Sequence, residues 1–146
     1  MNIRYLLALL LPVMCIPAFA TYRYVGGDIS LLPEYERAGA QYKDHDGTPV
    51  AELLPFLHDQ GMNAMRVRLF VNPSDYKGAD ADKNACQDLD YILPLCKRIK
   101  AAGFALMLDF HYSDTWADPA KQWTPKAWEG LTDDQLKQNM DDDTTE

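Results

Sequence analysis

Polar and apolar positions along the chain follow two rhythms. In Ala64-Met-Arg-Val-Arg-Leu-Phe-Val71 the side chains change character at every second residue. Met65, Val67 and Leu69 fall on one face of an extended chain, and Arg66 and Arg68 on the other. Phe104-Ala-Leu-Met-Leu-Asp-Phe-His111 repeats the pattern. Phe104, Leu106, Leu108 and Phe110 share one face; Ala105, Met107, Asp109 and His111 share the opposite one. Tyr24-Val-Gly-Gly-Asp-Ile-Ser30 predicts a shorter strand ahead of both. Between the strands the apolar spacing lengthens to three and four. Val50, Leu53, Leu54 and Leu57 predict a helix from Pro49 to Gln60, capped by Thr48 and stopped by Gly61. Pro55 predicts a kink in it or a late start. Leu89, Ile92, Leu93, Cys96 and Ile99 predict a second helix, capped by Asp88, carrying Pro94 and ending before Gly103. A third begins near Thr132, with Gln135 placed to complete a capping box. The stretch after Ser30 reads as a loop with a turn at Asp44-His45-Asp46-Gly47.

The order is strand, helix, strand, helix, strand, helix. Helices between strands imply parallel pairing through right-handed crossovers. Two α/β architectures satisfy that order, the closed (β/α)8 TIM barrel and the open doubly wound sheet. The first strand runs into Gly26-Gly27-Asp28 rather than a G-x-G-x-x-G loop opening a helix, which argues against a nucleotide-binding sheet. Both longer strands carry one wholly apolar face, suited to a helix layer. The other face turns polar toward the carboxyl end, where a barrel keeps its active site. The fold class expected is therefore the (β/α)8 barrel, with about its first three β/α units within these 146 residues. Arginine paired with aspartate across neighbouring strands, as a purely structural ion pair, is the alternative reading of the polar face.

The first residues need separate treatment. MNIRYLLALLLPVMCIPAFA opens with one base, Arg4, continues with a short apolar run and ends on Ala18-Phe19-Ala20. Such a segment reads as a secretory signal peptide and is too short to span a membrane. The expected division is residues 1–20 as signal peptide and 21–146 as the barrel portion. The mature protein would be secreted, periplasmic or at the cell surface, with no membrane attachment after cleavage. The whole chain carries a formal net charge of −8, and losing Arg4 makes the remainder more acidic. That balance repels nucleic acid and anionic membranes. The acids crowd toward the end, through Asp133, Asp134, Asp141, Asp142, Asp143 and Glu146. An exported protein can oxidise its cysteines, but ten residues of mostly helical chain hold Cys86 and Cys96 too far apart to bridge.

Candidate chemistry is concentrated after the third strand. Tyr112 to Gly130 is long for a loop, and it holds Trp116, Trp123 and Trp128 beside Asp114 and Asp118. Sugars offer both C–H faces and hydroxyl groups, so aromatics interleaved with carboxylates suit a saccharide groove. Each tryptophan could equally pin the loop onto the scaffold.

Several stretches together are similar to a known family. Gly26-Gly-Asp-Ile-Ser30, Gly61-Met-Asn-Ala-Met-Arg-Val-Arg68, Val71-Asn-Pro73, Leu89-Asp-Tyr91 and above all Asp109-Phe-His-Tyr-Ser-Asp-Thr-Trp-Ala-Asp-Pro119 resemble glycoside hydrolase family 53, the arabinogalactan endo-β-1,4-galactanases. The resemblance implies a barrel that cleaves β-1,4-galactan within the chain, with net retention, a polysaccharide partner and neither metal nor cofactor. It implies that Arg66 and His111 support the catalytic glutamates. Asp28, Arg68, Asp109, Asp114 and Trp116 would line the groove, with Trp116 facing a sugar ring.

The family places its acid/base in an Asn-Glu pair after the fourth strand and its nucleophile after the seventh. Retaining hydrolysis needs those two carboxylates about 5 Å apart. No Asn-Glu occurs here, and the glutamates present are Glu34, Glu36, Glu52, Glu129 and Glu146. The expectation is an amino-terminal portion of such an enzyme, inactive and marginally stable by itself. Two alternatives stay open. One is a non-catalytic galactan-binding module. The other is a metal-dependent hydrolase using Asp109, His111, Asp114 and Asp28, for which zinc would need at least three convergent ligands.

Overall fold

A computed structural model describes residues 22–75, 82 and 84–143. The signal-peptide reading and the terminal Glu146 lie outside them. Three strands, β1 (Gly26–Asp28), β4 (Ala64–Leu69) and β5 (Ala105–Phe110), form one parallel sheet in the order β1-β4-β5. Helix α2 (Leu53–Asp59) leads from the first strand to the second, and α3 (Leu89–Ala101) from the second to the third. Helix α4 (Asp133–Asp143) follows the long loop. Among the described residues no helix is long and apolar enough to cross a membrane.

Part of the apolar stripes builds the core, but in α3 Leu89 and Leu93 are exposed and Leu95 is buried in their stead. Met65 and Val67 of β4, Ile92, Leu95, Cys96 and Ile99 of α3, Leu54 of α2 and Phe104 before β5 form one buried cluster. Burying side chains of this kind contributes about 1.5–3 kcal/mol each. The Asp88 carboxylate caps α3 by accepting from the Tyr91 N–H at 2.8 Å. The capping box of α4 is present: the Thr132 N–H donates to the Gln135 side chain at 2.9 Å, and the Gln135 N–H returns to the Thr132 hydroxyl at 3.4 Å.

Three details depart from the sequence expectation. The stretch after Ser30 contains a short helix, α1 (Leu32–Arg37), with a proline in its first turn and Leu32 in the core. Next, β2 (Tyr42–Lys43) and β3 (Pro49–Val50) make an antiparallel hairpin around the turn at Asp44. The Asp44 carboxylate accepts from the Asp46 and Thr48 N–H groups, so Thr48 closes a turn instead of capping a helix. Consequently α2 starts at Leu53, which puts Pro55 in its first turn, where a missing N–H costs nothing. Third, the apolar face of β5 is only half covered. Phe104 is buried and Leu106 packs on the core, but Leu108 is 39% exposed. On the opposite face Met107 is 60% exposed. Beyond β5 no further described strand pairs. The buried Cys96 and part-buried Cys86 are free thiols.

Candidate functional site

The carboxyl ends of the three parallel strands bring five charged or titratable side chains together. In-register pairing sets Asp28 of β1 beside Arg66 of β4, and Arg68 beside Asp109 of β5. Asp28 accepts from the Ser30 N–H through Oδ1 at 3.1 Å, which leaves Oδ2 for two guanidiniums. Arg66 Nη1 and Arg68 Nη2 each lie 3.3 Å from it. The other limb of Arg66 donates to Asp109 Oδ2, so this one arginine ties the first strand to the third. All three partners are partly shielded from water, which makes such pairs stronger than surface ones.

His111 stands just past β5 with little of its side chain exposed. Its Nδ1 is 3.5 Å from Asp109 Oδ2 but lacks hydrogen-bond geometry and is buried without a partner. Burial lowers its pKa from the ordinary histidine value; Asp109 opposes that shift, and Arg68 and Arg66 reinforce it. The imidazole is therefore neutral at neutral pH, able to donate one N–H and accept at the other nitrogen. Phe70 holds the ring edge-on, 4.7 Å between centroids.

Trp116 completes the group. Arg68 lies over its ring at 4.9 Å, Phe70 and His111 meet it edge-on, and its Nε1–H donates to Asp82 at 3.1 Å. Asp114 is placed differently from the other candidates. It is 3% exposed, and its two oxygens accept the N–H groups of Asn72 and Lys126, each at 2.8 Å. Its acceptor capacity serves the loop, not the open face. The metal reading meets a related obstacle. Asp28 and Asp109 already face arginine guanidiniums, so a cation would have to displace Arg66 and sit beside Arg68.

A family model described as glycosyl hydrolase family 53 matches residues 24–146. The chain belongs to glycosyl hydrolase family 53. It is 50% identical over 117 residues to a probable arabinogalactan endo-beta-1,4-galactanase A of Aspergillus terreus, covering 80% of this chain and 30% of that protein. It is 43% identical over 120 residues to arabinogalactan endo-beta-1,4-galactanase A of Aspergillus niger, covering 82% of this chain and 31% of that one. Among solved structures, the family 53 catalytic domain of Ignisphaera aggregans superposes with a TM-score of 0.69 at 34% identity, over 85% of this chain and 34% of that one. A fungal beta-1,4-galactanase gives 0.61 at 42% identity, over 74% and 30%. The chain thus spans about a third of the length of the family 53 proteins it matches, and its parallel β/α units follow the barrel fold of those catalytic domains.

Sequence reading missed several residues that shape this family 53 site. Ser30 is wholly buried, and its hydroxyl accepts the Arg68 N–H at 2.9 Å, fixing the arginine strand against the first loop. The spacing Asp28-x-Ser30 is a turn signal that could have exposed it. Gly26 packs so close to Ala64 that a methyl group would overlap the carbonyl. Tyr112 adopts φ 44°, a left-handed conformation rare for a bulky side chain. It turns the chain between His111 and Asp114, and nothing in its local sequence announces that.

Proposed function

We propose that this chain supplies the first β/α units of a barrel that cleaves β-1,4-galactan internally with retention, and that it carries the supporting rather than the reacting groups. One observation bears most of the weight: Arg66 links Asp28 to Asp109 beside a neutral, nearly buried His111, at the carboxyl ends of parallel strands. A fixed guanidinium there would orient a nucleophilic carboxylate and hold it ionised. His111 would donate to that carboxylate or to a sugar hydroxyl. Arg68 and Trp116 would form the groove wall, the ring's free surface meeting the C–H face of a galactose.

Two of the glutamates are engaged elsewhere, Glu34 with Arg37 and Glu36 with Arg98, and Glu52 stands just before α2. The 146 residues alone would then lack the carboxylate pair that retention requires and would not hydrolyse galactan. The amino-terminal segment would direct export, placing the protein where pectic side chains occur.

A segment swap tests this reading. Residues 24–143 would replace the matching stretch of the Aspergillus niger galactanase. The swapped enzyme is expected to release reducing ends from β-1,4-galactan, and the isolated chain to release none above a heat-killed control. A folded but inactive swap, or hydrolysis by the isolated chain, would overturn it.

A further inference from the structure

We propose that Asp114 is a positioning residue: its carboxylate clasps the loop after β4 to the far limb of the β5–α4 loop and so sets Trp116 against Arg68 and His111. The observations are geometric. Past the last strand pair, the ladder continues with His111 N–H to Leu69 O at 2.9 Å and Val71 N–H to Ser113 O at 3.0 Å. Tyr112, at φ 44°, turns the chain between those two bonds. Past Ser113 the Asp114 carboxylate takes over as acceptor. Oδ1 receives the Asn72 N–H, which lies one residue past Val71. Oδ2 receives the Lys126 N–H, which opens the short 3-10 turn containing the buried Trp128. One side chain therefore joins two loops that enter from different strands. A buried carboxylate is stable there because both oxygens accept backbone N–H groups, which bind a charged acceptor about twice as strongly as a neutral one.

Trp116 lies two residues from this clasp. Its ring is held by Arg68, Phe70 and His111. Asp114 acts on the candidate site through the loop path and makes no sugar contact of its own. The inference about position is independent of the galactan reading; only its consequence for a bound sugar rests on that reading.

The test uses the full chain, isotopically labelled for NMR and free of carbohydrate. In Asp114→Asn one oxygen becomes an NH2 group facing an N–H donor. Hydrogen exchange at Asn72 and Lys126 is expected to accelerate about 10- to 100-fold, the loss of a bond to a charged acceptor. The Trp116 indole N–H resonance is expected to shift, while the β4–β5 ladder keeps its protection. A second variant guards against failure to fold. Lys126→Pro removes only the donor to Oδ2, at the first position of a helical turn, and Pro125 already has the extended ψ of 138° that a following proline requires. It should reproduce the Trp116 shift. A Trp116 resonance unmoved in the variants that fold, or moved only when the ladder amides lose protection by the same factor, would overturn the proposal.

Discussion

Adjacent glycines in the first strand should respond oppositely to one added methyl group. A Cβ on Gly26 would overlap the Ala64 carbonyl oxygen and approach its carbon to 2.7 Å, whereas a Cβ on Gly27 would meet nothing within 4 Å. Rigid backbone, not a flexible side chain, blocks Gly26, so β1 must move away from β4. That movement strains the bonds from the Asn63 and Ala64 N–H groups to Val25 O, at 2.8 and 3.2 Å, and from the Ile29 N–H to Arg66 O, at 3.1 Å. Overpacking costs about 1–3 kcal/mol and each lost backbone bond about 1 kcal/mol, giving roughly 4–6 kcal/mol for Gly26→Ala if all three bonds are lost. Whole domains are stable by only about 5–15 kcal/mol. Gly26→Ala should therefore lose a large share of the stability and unfold at a much lower urea concentration than the parent, and Gly27→Ala should stay within about 0.5 kcal/mol of it. Urea unfolding followed by circular dichroism measures both. The displacement also carries Asp28 away from Arg66 and Arg68, so function and stability fail together. Equal midpoints for the two variants would refute the close approach on which the argument depends.

Other consequences concern the histidine and the caps. Because burial lowers the folded-state pKa of His111, its neutral form stabilises the fold fully above the unfolded value of about 6.5, and that contribution is lost as pH falls below it. Melting temperature against pH should drop less steeply on the acid side in His111→Gln. The Arg66 charge helps hold that pKa down, so Arg66→Met should raise it, read from the imidazole resonances during titration; an unchanged or lower value would contradict that influence. Asp88→Ala removes the cap on Tyr91 and should cost about 0.5–2 kcal/mol, read from the shift in urea midpoint.

The legible parts of the fold were those where one rule acted alone. Alternation in β4 named the faces correctly because one side packs on α3; in β5 it did so for Phe104 and Leu106 but not for Leu108, which is 39% exposed. The caps at Asp88 and Thr132 were readable because capping is local. Helix α1 escaped notice because six residues are too few to show a period, although Pro33 and Glu34 mark its start. The β2–β3 hairpin was mistaken for a helix start because Thr48 and Pro49 suit either, and the Asp44 turn decides between them. At the candidate site, the charges of Asp28, Arg66, Arg68, Asp109 and His111 were visible as a face. The division of labour was not. Whether Asp114 serves sugar or backbone depends on Asn72 and Lys126, far from it in sequence, and on the turn at Tyr112.

The most direct measurement is galactan turnover by the segment-swapped Aspergillus niger enzyme carrying Arg66→Met, beside the unmodified swap at equal melting temperature. Losing the fixed guanidinium should lower kcat about a hundredfold or more, the scale on which preorganised donors act. Turnover within about twofold of the unmodified swap would mean that the Arg66 bridge only holds strands together, and would remove the basis for the assigned function.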